Sequence, residues 1–219
     1  MDLSQLLDPL AAALVLGGTL AAALLRCGWA DSRETLRALA QLAGKGFAAA
    51  AIRAELGAQI QEIGRDGLVR AQPHRFDDNA FDALADALIR RRSLAALQQE
   101  HEKYRTARLA RADTAIAVLG QAAELAPVLG LAGTLLSLGG LSAMAAGGDT
   151  AQAIGTAVTT TLYGLVLANF VFAPLAAAIG RRSQAEESAR QELLEWLTDA
   201  VREACPAPPL AQEPRSRAA

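Results

Sequence analysis

The sequence predicts an all-α integral membrane protein with three transmembrane helices and long cytoplasmic helical extensions. Three observations carry that expectation. First, 52% of the 219 residues are hydrophobic and mean hydropathy is +0.21, yet the chain holds 21 Lys+Arg and 23 Asp+Glu. Apolar stretches must therefore alternate with charged ones. Second, aromatics make up only 4% while alanine is abundant, which favours helices with small-residue contacts over a sandwich or barrel. Third, the chain contains three runs of about 20 largely apolar residues, the length that crosses a bilayer as a helix.

The runs are residues 6–25, 125–146 and 154–179, of which the first carries one charge, Asp8, near its edge. The second and third are apolar or small on every face, whereas a soluble surface helix keeps a polar face. The first run has Asp2 and Asp8 but no basic residue ahead of its apolar stretch, so it reads as a retained span rather than a signal peptide. Charge then orients the chain. No Lys or Arg precedes the first span or falls in the Gly147–Thr150 turn, while the stretch 26–111 and the tail from Arg181 hold them all. By the positive-inside rule the N-terminus and the short turn face outward, and the long loop and C-terminus face the cytoplasm. Cys27 and Cys205 then sit on the reducing side as free thiols. A net charge of −2 excludes a general polyanion binder, so no nucleic acid partner is expected.

Residues 28–112 read as a cytoplasmic helical loop. One helix starts near Ser32, with Leu36, Leu39 and Leu42 as its apolar stripe. A second carries Phe47, Ile52, Leu56, Ile60 and Ile63, punctuated by Gly64 to Gly67, and Gln72-Pro73-His74 breaks the chain. Asp77, Asp78, Asp82 and Asp86 are helix N-terminal and surface charges ahead of Phe81, Leu84 and Leu88. Arg90 to Arg92 form a solvated or lipid-facing basic run. His74 and His101 are expected on exposed positions. From Leu94 onward nothing breaks the helical pattern, so the second span, within a core at 113–180, should continue from a long helix. After Arg181 a helix to residue 205 carries Leu193, Leu194, Leu197 and Val201, and the Pro-rich residues 206–219 read as a disordered tail.

The chemistry lies in the second and third spans. In Ala126-Pro127-Val128-Leu129-Gly130-Leu131-Ala132-Gly133-Thr134, Gly130 and Gly133 allow close backbone approach of a neighbouring helix. Pro127 removes one intrahelical bond and permits a bend. The third span carries Thr159-Thr160-Thr161-Leu162-Tyr163-Gly164, then Ala168-Asn169 and Pro174-Leu175-Ala176. Thr156, Thr160 and Tyr163 share a face, with Thr161 beside them towards Gly164. Hydroxyls at bilayer depth either bond back to their own helix or line a polar passage. Neither span holds an Asp, Glu, Lys, Arg or His, so a proton carrier would need a titratable group from elsewhere.

These motifs, A-P-x-x-G-x-x-G-T followed by T-T-L-Y-G-x-x-x-A-N-x-x-x-x-P-L-A, resemble the MotA/TolQ/ExbB ion-channel family, and most closely its flagellar stator A-subunits of the MotA/PomA kind. The likeness is specific over about residues 124–180; Val15 to Ala21 is more weakly similar to a span of the same proteins. The resemblance implies a homopentamer in the bacterial inner membrane, surrounding two single-span helices of a MotB-like or ExbD/TolR-like partner, each of which supplies the essential Asp. It implies no cofactor and no enzymatic activity, with H+ or Na+ as the transported ion. By position it assigns Thr134, Thr160 and Thr161 to the ion pathway, Thr160 being the additional hydroxyl of sodium-type sequences. It assigns Pro127 and Pro174 to hinges or gates, leaves Gly130, Gly133 and Gly164 to helix packing, and gives Arg65 and Arg70 to a rotor contact. Two departures stand out. The stator A-subunits have four spans where three are expected here, as in TolQ and ExbB, and Gln72 stands where the family usually has Glu. Three functions follow as expectations: a stator subunit driving a flagellar motor, an ExbB/TolQ-like unit powering outer-membrane work, and a non-conducting membrane scaffold.

Overall fold

A computed structural model describes residues 8–44, 46–66, 78, 80–84, 86, 94–143 and 150–204. The helices are α1 (Pro9–Cys27), α2 (Trp29–Ala43), α3 (Ala49–Asp66), α4 (Leu94–Ala143), α5 (Thr150–Val166) and α6 (Ala173–Ala204), with a π-helical turn, Leu167–Phe172, joining the last two. Among the described residues there is no strand. Two helical stretches, Ala95–Gly139 and Ala153–Glu203, are long and apolar enough to cross a membrane; the bent pair α1–α2 is a third candidate if it counts as one span.

Each start and break has a local cause. Asp8 lies at the N-cap of α1: its Oδ1 accepts the Ala11 N–H at 3.1 Å, and Pro9 takes the first helical position, where a missing N–H costs nothing. Asp8 thus ends the apolar run instead of interrupting it. At the other end Gly28 adopts φ +86°, ψ 167°, a region that only glycine enters readily, and the axis turns by 119° between α1 and α2. The second helix therefore begins at Trp29, not near Ser32, whose hydroxyl donates to the Gly28 carbonyl. Replacing Gly28 by Ala meets no steric neighbour, so the backbone conformation alone is tested. We expect Gly28→Ala to destabilise the chain by about 1–3 kcal/mol, read as a lowered melting temperature in detergent. Arg182 holds the far end of α2, its Nη1 donating to the Leu42 carbonyl at 2.8 Å and its Nη2 to the Gly44 carbonyl at 3.3 Å.

Helix α4 runs unbroken for 50 residues, as the absence of breakers from Leu94 onward predicts, and Pro127 lies inside it. The π turn has a cause in Pro174. Proline supplies no N–H and presses its ring on the carbonyl four residues earlier; a widened turn just ahead of it relieves that pressure. The Ala173 N–H accordingly reaches back to the Ala168 carbonyl, and the Asn169 side-chain amide donates to the Leu165 carbonyl at 2.9 Å.

The contacts divide the chain into two compact units. In the first, residues 1–46 and 108–184, the core is built largely of small side chains: Ala23, Ala115, Ala122, Ala126 and Ala168, with Leu119, Phe172 and Ile179. Its surface is apolar, with Leu131, Leu135 and Leu136 on α4 and Ile154, Val158 and Phe170 on α5 and the π turn all exposed. That is the inverse of a soluble bundle and suits a lipid or helix-lined environment. Leu39 and Leu42 of α2 pack on this core as expected, but Leu36 does not: it is 68% exposed.

The second unit, residues 47–107 and 185–219, has an ordinary aliphatic and aromatic core. Ile52 and Leu56 of α3, Phe81 and Leu84 of the helical stretch 80–84, Leu97 of α4, and Leu193, Leu194, Leu197 and Val201 of α6 are buried together, as their spacing predicts. Gly64 does not interrupt α3, which continues to Asp66. His101 departs most clearly from expectation: it is buried, with its Nε2 3.6 Å from Glu187 Oε1. Asp78 is both a cap and a partner. Its Oδ1 accepts the Ala80 N–H at 2.8 Å while its Oδ2 lies 2.6 Å from Nη1 of the buried Arg190. Ile63 keeps its place in α3, but its side chain, Arg70, Gln72, His74, Leu88, Arg90 to Arg92 and Cys205 lie outside the described residues.

Candidate functional site

The two motifs meet where α4 crosses α5. Gly130, Gly133 and Gly164 are the residues that let them touch. A methyl group on Gly130 would lie 2.9 Å from the Thr160 carbonyl oxygen and 3.2 Å from the Thr161 Cα. One on Gly164 would lie 2.5 Å from the Ala126 carbonyl oxygen and 3.1 Å from the Pro127 Cα. One on Gly133 would lie 3.0–3.2 Å from Cβ, Cγ2 and Oγ1 of Thr160. Backbone meets backbone at the first two positions and side chain at the third. The A-P-x-x-G-x-x-G run and the T-T-L-Y-G run are therefore the two halves of one interlocking contact, the close approach that small residues permit between membrane helices.

The threonines differ in how their hydroxyls are committed. Thr160 is buried and donates to the Ala157 carbonyl at 2.9 Å. Thr161, half-buried, reaches the same carbonyl only at 3.5 Å, the weakest of these bonds. Thr134 donates to the Leu131 carbonyl at 2.6 Å from a half-exposed position next to Gly133. On α1, Thr19 is fully buried and bonds to Val15. Back-bonding is thus the common state, and Thr161 is the hydroxyl most easily recruited by something else.

The structure brings together Pro127, Gly130, Gly133, Thr160, Thr161 and Gly164, with Thr134 immediately beyond. Pro174 stands apart, at the start of α6 behind the π turn. Arg65 belongs to α3 in the other unit, with its side chain outside the described residues. Two partners escaped sequence reasoning. Ala126, fully buried, offers its carbonyl to the Gly164 contact, and Cys27, a free thiol, donates to Gln121 Oε1 at 3.4 Å. The alanine ahead of the proline was a signal for the first; nothing local marked the second. Beside the crossing, an apolar hollow of about 210 Å3 is lined by Ala12, Ala13, Leu16, Tyr163, Val166 and Leu167. It holds no charged group at which an ion would pause. Among the described residues no cluster of His, Cys, Asp and Glu could hold a metal.

Described residues that are almost all helical, an apolar exterior on the first unit and a glycine-interlocked helix pair within it define a membrane-embedded helical protein. A family model described as the MotA/TolQ/ExbB proton channel family matches residues 72–192, more than half of the chain and all of the α4–α5 crossing, and the chain belongs to that family. Among curated relatives it is 32% identical over 123 residues to the uncharacterized protein YtxD of Bacillus subtilis and 27% identical over 123 residues to motility protein A of Treponema phagedenis. It is 37% identical over 78 residues to chemotaxis protein PomA of Vibrio alginolyticus. The matched segments cover 54%, 54% and 34% of this chain and 40%, 43% and 30% of those relatives. The chain therefore spans less than half the length of the curated relatives it matches. In fold it is similar to the flagellar MotAB stator complex of B. subtilis, with a TM-score of 0.79 at 20% identity over 92% of this chain and 81% of that one. It is similar to C. jejuni MotAB as well, with a TM-score of 0.80 at 17% identity over 94% and 82%.

Proposed function

We propose that this chain is the ion-channel subunit of a flagellar stator, converting a proton or sodium gradient into mechanical work. The observation that carries the reading is the α4–α5 crossing inside the family-matched segment. Glycines bring the two helices into backbone contact, and Thr161, whose hydroxyl is loosely held, has its Cα at that contact. In this reading three spans, residues 6–25, 125–146 and 154–179, cross the bacterial inner membrane with the N-terminus outside. Residues 28–112 and 181–205 are cytoplasmic, and 206–219 form a tail. Five copies surround two single-span MotB-like helices, each with an Asp that supplies the carboxylate absent from residues 125–146 and 154–179. Thr134, Thr160 and Thr161 line the pathway, Pro127 and Pro174 with its π turn allow the helices to flex, and Arg65 and Arg70 face the rotor. The likeness to motility protein A, to PomA and to MotAB stators supports it.

Two expected results follow. Purified chain in liposomes should conduct negligibly, and flux should appear only with the partner, because residues 125–146 and 154–179 contain no Asp, Glu, Lys, Arg or His. Flux without a partner would overturn this division of labour. Thr161→Val should then cut flux and torque severalfold while leaving assembly near normal. Valine is nearly isosteric, and the bond lost to the Ala157 carbonyl is long and duplicated by Thr160. Thr19→Val is the control, since that hydroxyl is fully enclosed on α1. Wild-type motility with Thr161→Val would remove Thr161 from the pathway. Flux only with an ExbD/TolR-like arm would move the chain to outer-membrane work, and no flux with either partner would leave a scaffold.

A further inference from the structure

The first unit carries one helix that is neither long enough to cross a bilayer nor covered on its outer side. Helix α2 has 15 residues, against the roughly 20 that a span needs, and it leaves α1 at a 119° turn fixed by Gly28. Thr35 is buried and Leu39 and Leu42 pack inward, so that face is accounted for. The opposite side divides lengthwise. At 100° per residue, Trp29, Leu36, Ala40 and Ala43 fall within a sector of about 60°, and all four are exposed, Trp29 by 73%. Arg33 and Arg37, also exposed, occupy the adjoining sector, and Arg26 adds a third positive charge in the last turn of α1. Among the described residues Arg26 and Arg33 have no ion-pair partner, while Arg37 pairs with Glu34. Leu25, 86% exposed, is a further uncovered apolar side chain in the last turn of α1.

An apolar stripe with a Trp, flanked lengthwise by arginines at the end of an apolar helix, has the chemistry of the headgroup boundary. The indole and Leu36 suit the acyl side and the guanidinium groups suit phosphate. We propose that α2 lies in the membrane surface and selects anionic phospholipid, with Trp29 and Leu36 inserted and Arg33, assisted by Arg37 and Arg26, drawing phosphatidylglycerol-type headgroups to its side. This rests on α1 crossing the bilayer.

The test uses the full chain reconstituted in phosphatidylcholine vesicles with a minority of phosphatidylglycerol, one of the two lipids carrying brominated chains. Trp29 fluorescence is obtained as the difference from Trp29→Phe, which leaves Trp196 as background. Brominated phosphatidylglycerol should quench Trp29 at least about fivefold more per molecule than brominated phosphatidylcholine, the enrichment expected from Arg33 alone near the surface. Added salt should shrink that ratio, and Arg33→Gln with Arg37→Gln should bring it towards one without unfolding the helix. Equal quenching by the two lipids in the unaltered chain would overturn the proposal. A Leu20→Trp reporter in the Trp29→Phe chain tests the span separately. Quenching there with none at Trp29 would mean that protein covers α2 and would overturn the proposal while leaving α1 in the bilayer. Quenching at neither would overturn both.

Discussion

Gly164→Ala should break the α4–α5 crossing and abolish function at normal synthesis of the chain. The added methyl would meet the Ala126 carbonyl oxygen at 2.5 Å and the Pro127 Cα at 3.1 Å, and neither is the end of a side chain that could swing away. Relief requires moving one helix bodily, which strips contacts from Ala126 and Ala168 in the alanine-rich core. Overpacking of a close-packed interior costs about 1–3 kcal/mol, and more where backbone must yield. We expect the upper end for Gly164→Ala and outright failure to assemble for Gly164→Val. Gly133→Ala provides the contrast, because its obstacle is the side chain of Thr160. Its loss should be smaller, and Thr160→Ala, by deleting Cγ2 and Oγ1, should recover part of it. Melting of the detergent-solubilised protein across the four chains of that cycle measures the coupling. A stable, assembled Gly164→Ala protein would mean that the helices are not in backbone contact there.

The parts legible in the sequence were those set by short-range pattern. Uninterrupted apolar runs gave the candidate spans, helical spacing gave the buried stripe Leu193, Leu194, Leu197 and Val201, and small residues three apart gave the sides on which α4 and α5 approach. What stayed hidden depended on backbone angles or on distant partners. Gly28 reads as one more glycine until its φ of +86° is seen, so the start of α2 was misplaced. Leu36 fitted the stripe of Leu39 and Leu42, but spacing tells only that a side chain is apolar, not which of two apolar surroundings it meets. His101 reads as an exposed position in the sequence, whereas Glu187, supplied by α6, faces it inside the second unit. The hydroxyls show the same limit: composition placed Thr160 and Thr161 together, and only geometry distinguishes a bond of 2.9 Å from one of 3.5 Å to the same carbonyl.

Arg190 gives the second large effect, in the other unit. Its guanidinium carbon stands 4.0 Å from the Phe47 ring centroid and 5.9 Å from that of Phe81, and the two rings stack at 5.8 Å. The Asp78 carboxylate closes the arrangement at 2.6 Å, a contact too misaligned to count as a hydrogen bond, and Nε has no hydrogen-bond partner among the described residues. Only about a tenth of the Arg190 side chain is exposed, and Asp78 is 18% exposed. Arg190→Met keeps the bulk but leaves a largely buried carboxylate without its cation, a change that costs about 3–5 kcal/mol in comparable settings. Solvent reaching Asp78 places the expected loss at the lower end of that range. Arg190→Lys should fall between, since an ammonium cannot lie flat on Phe47 while facing Asp78. The diagnostic chain is Arg190→Met with Asp78→Asn. Asparagine retains the oxygen that accepts from Ala80 and discards the charge, so the double variant should be more stable than Arg190→Met alone. Trp196 packs in the same unit, its ring against Gly57 and 5.2 Å from the Arg53 guanidinium carbon, and its fluorescence during thermal unfolding, in a Trp29→Phe background, reports this unit. If Arg190→Met melts with the unaltered protein, the ion pair contributes nothing and the buried apolar packing of Phe81 and Leu84 holds the helical stretch 80–84.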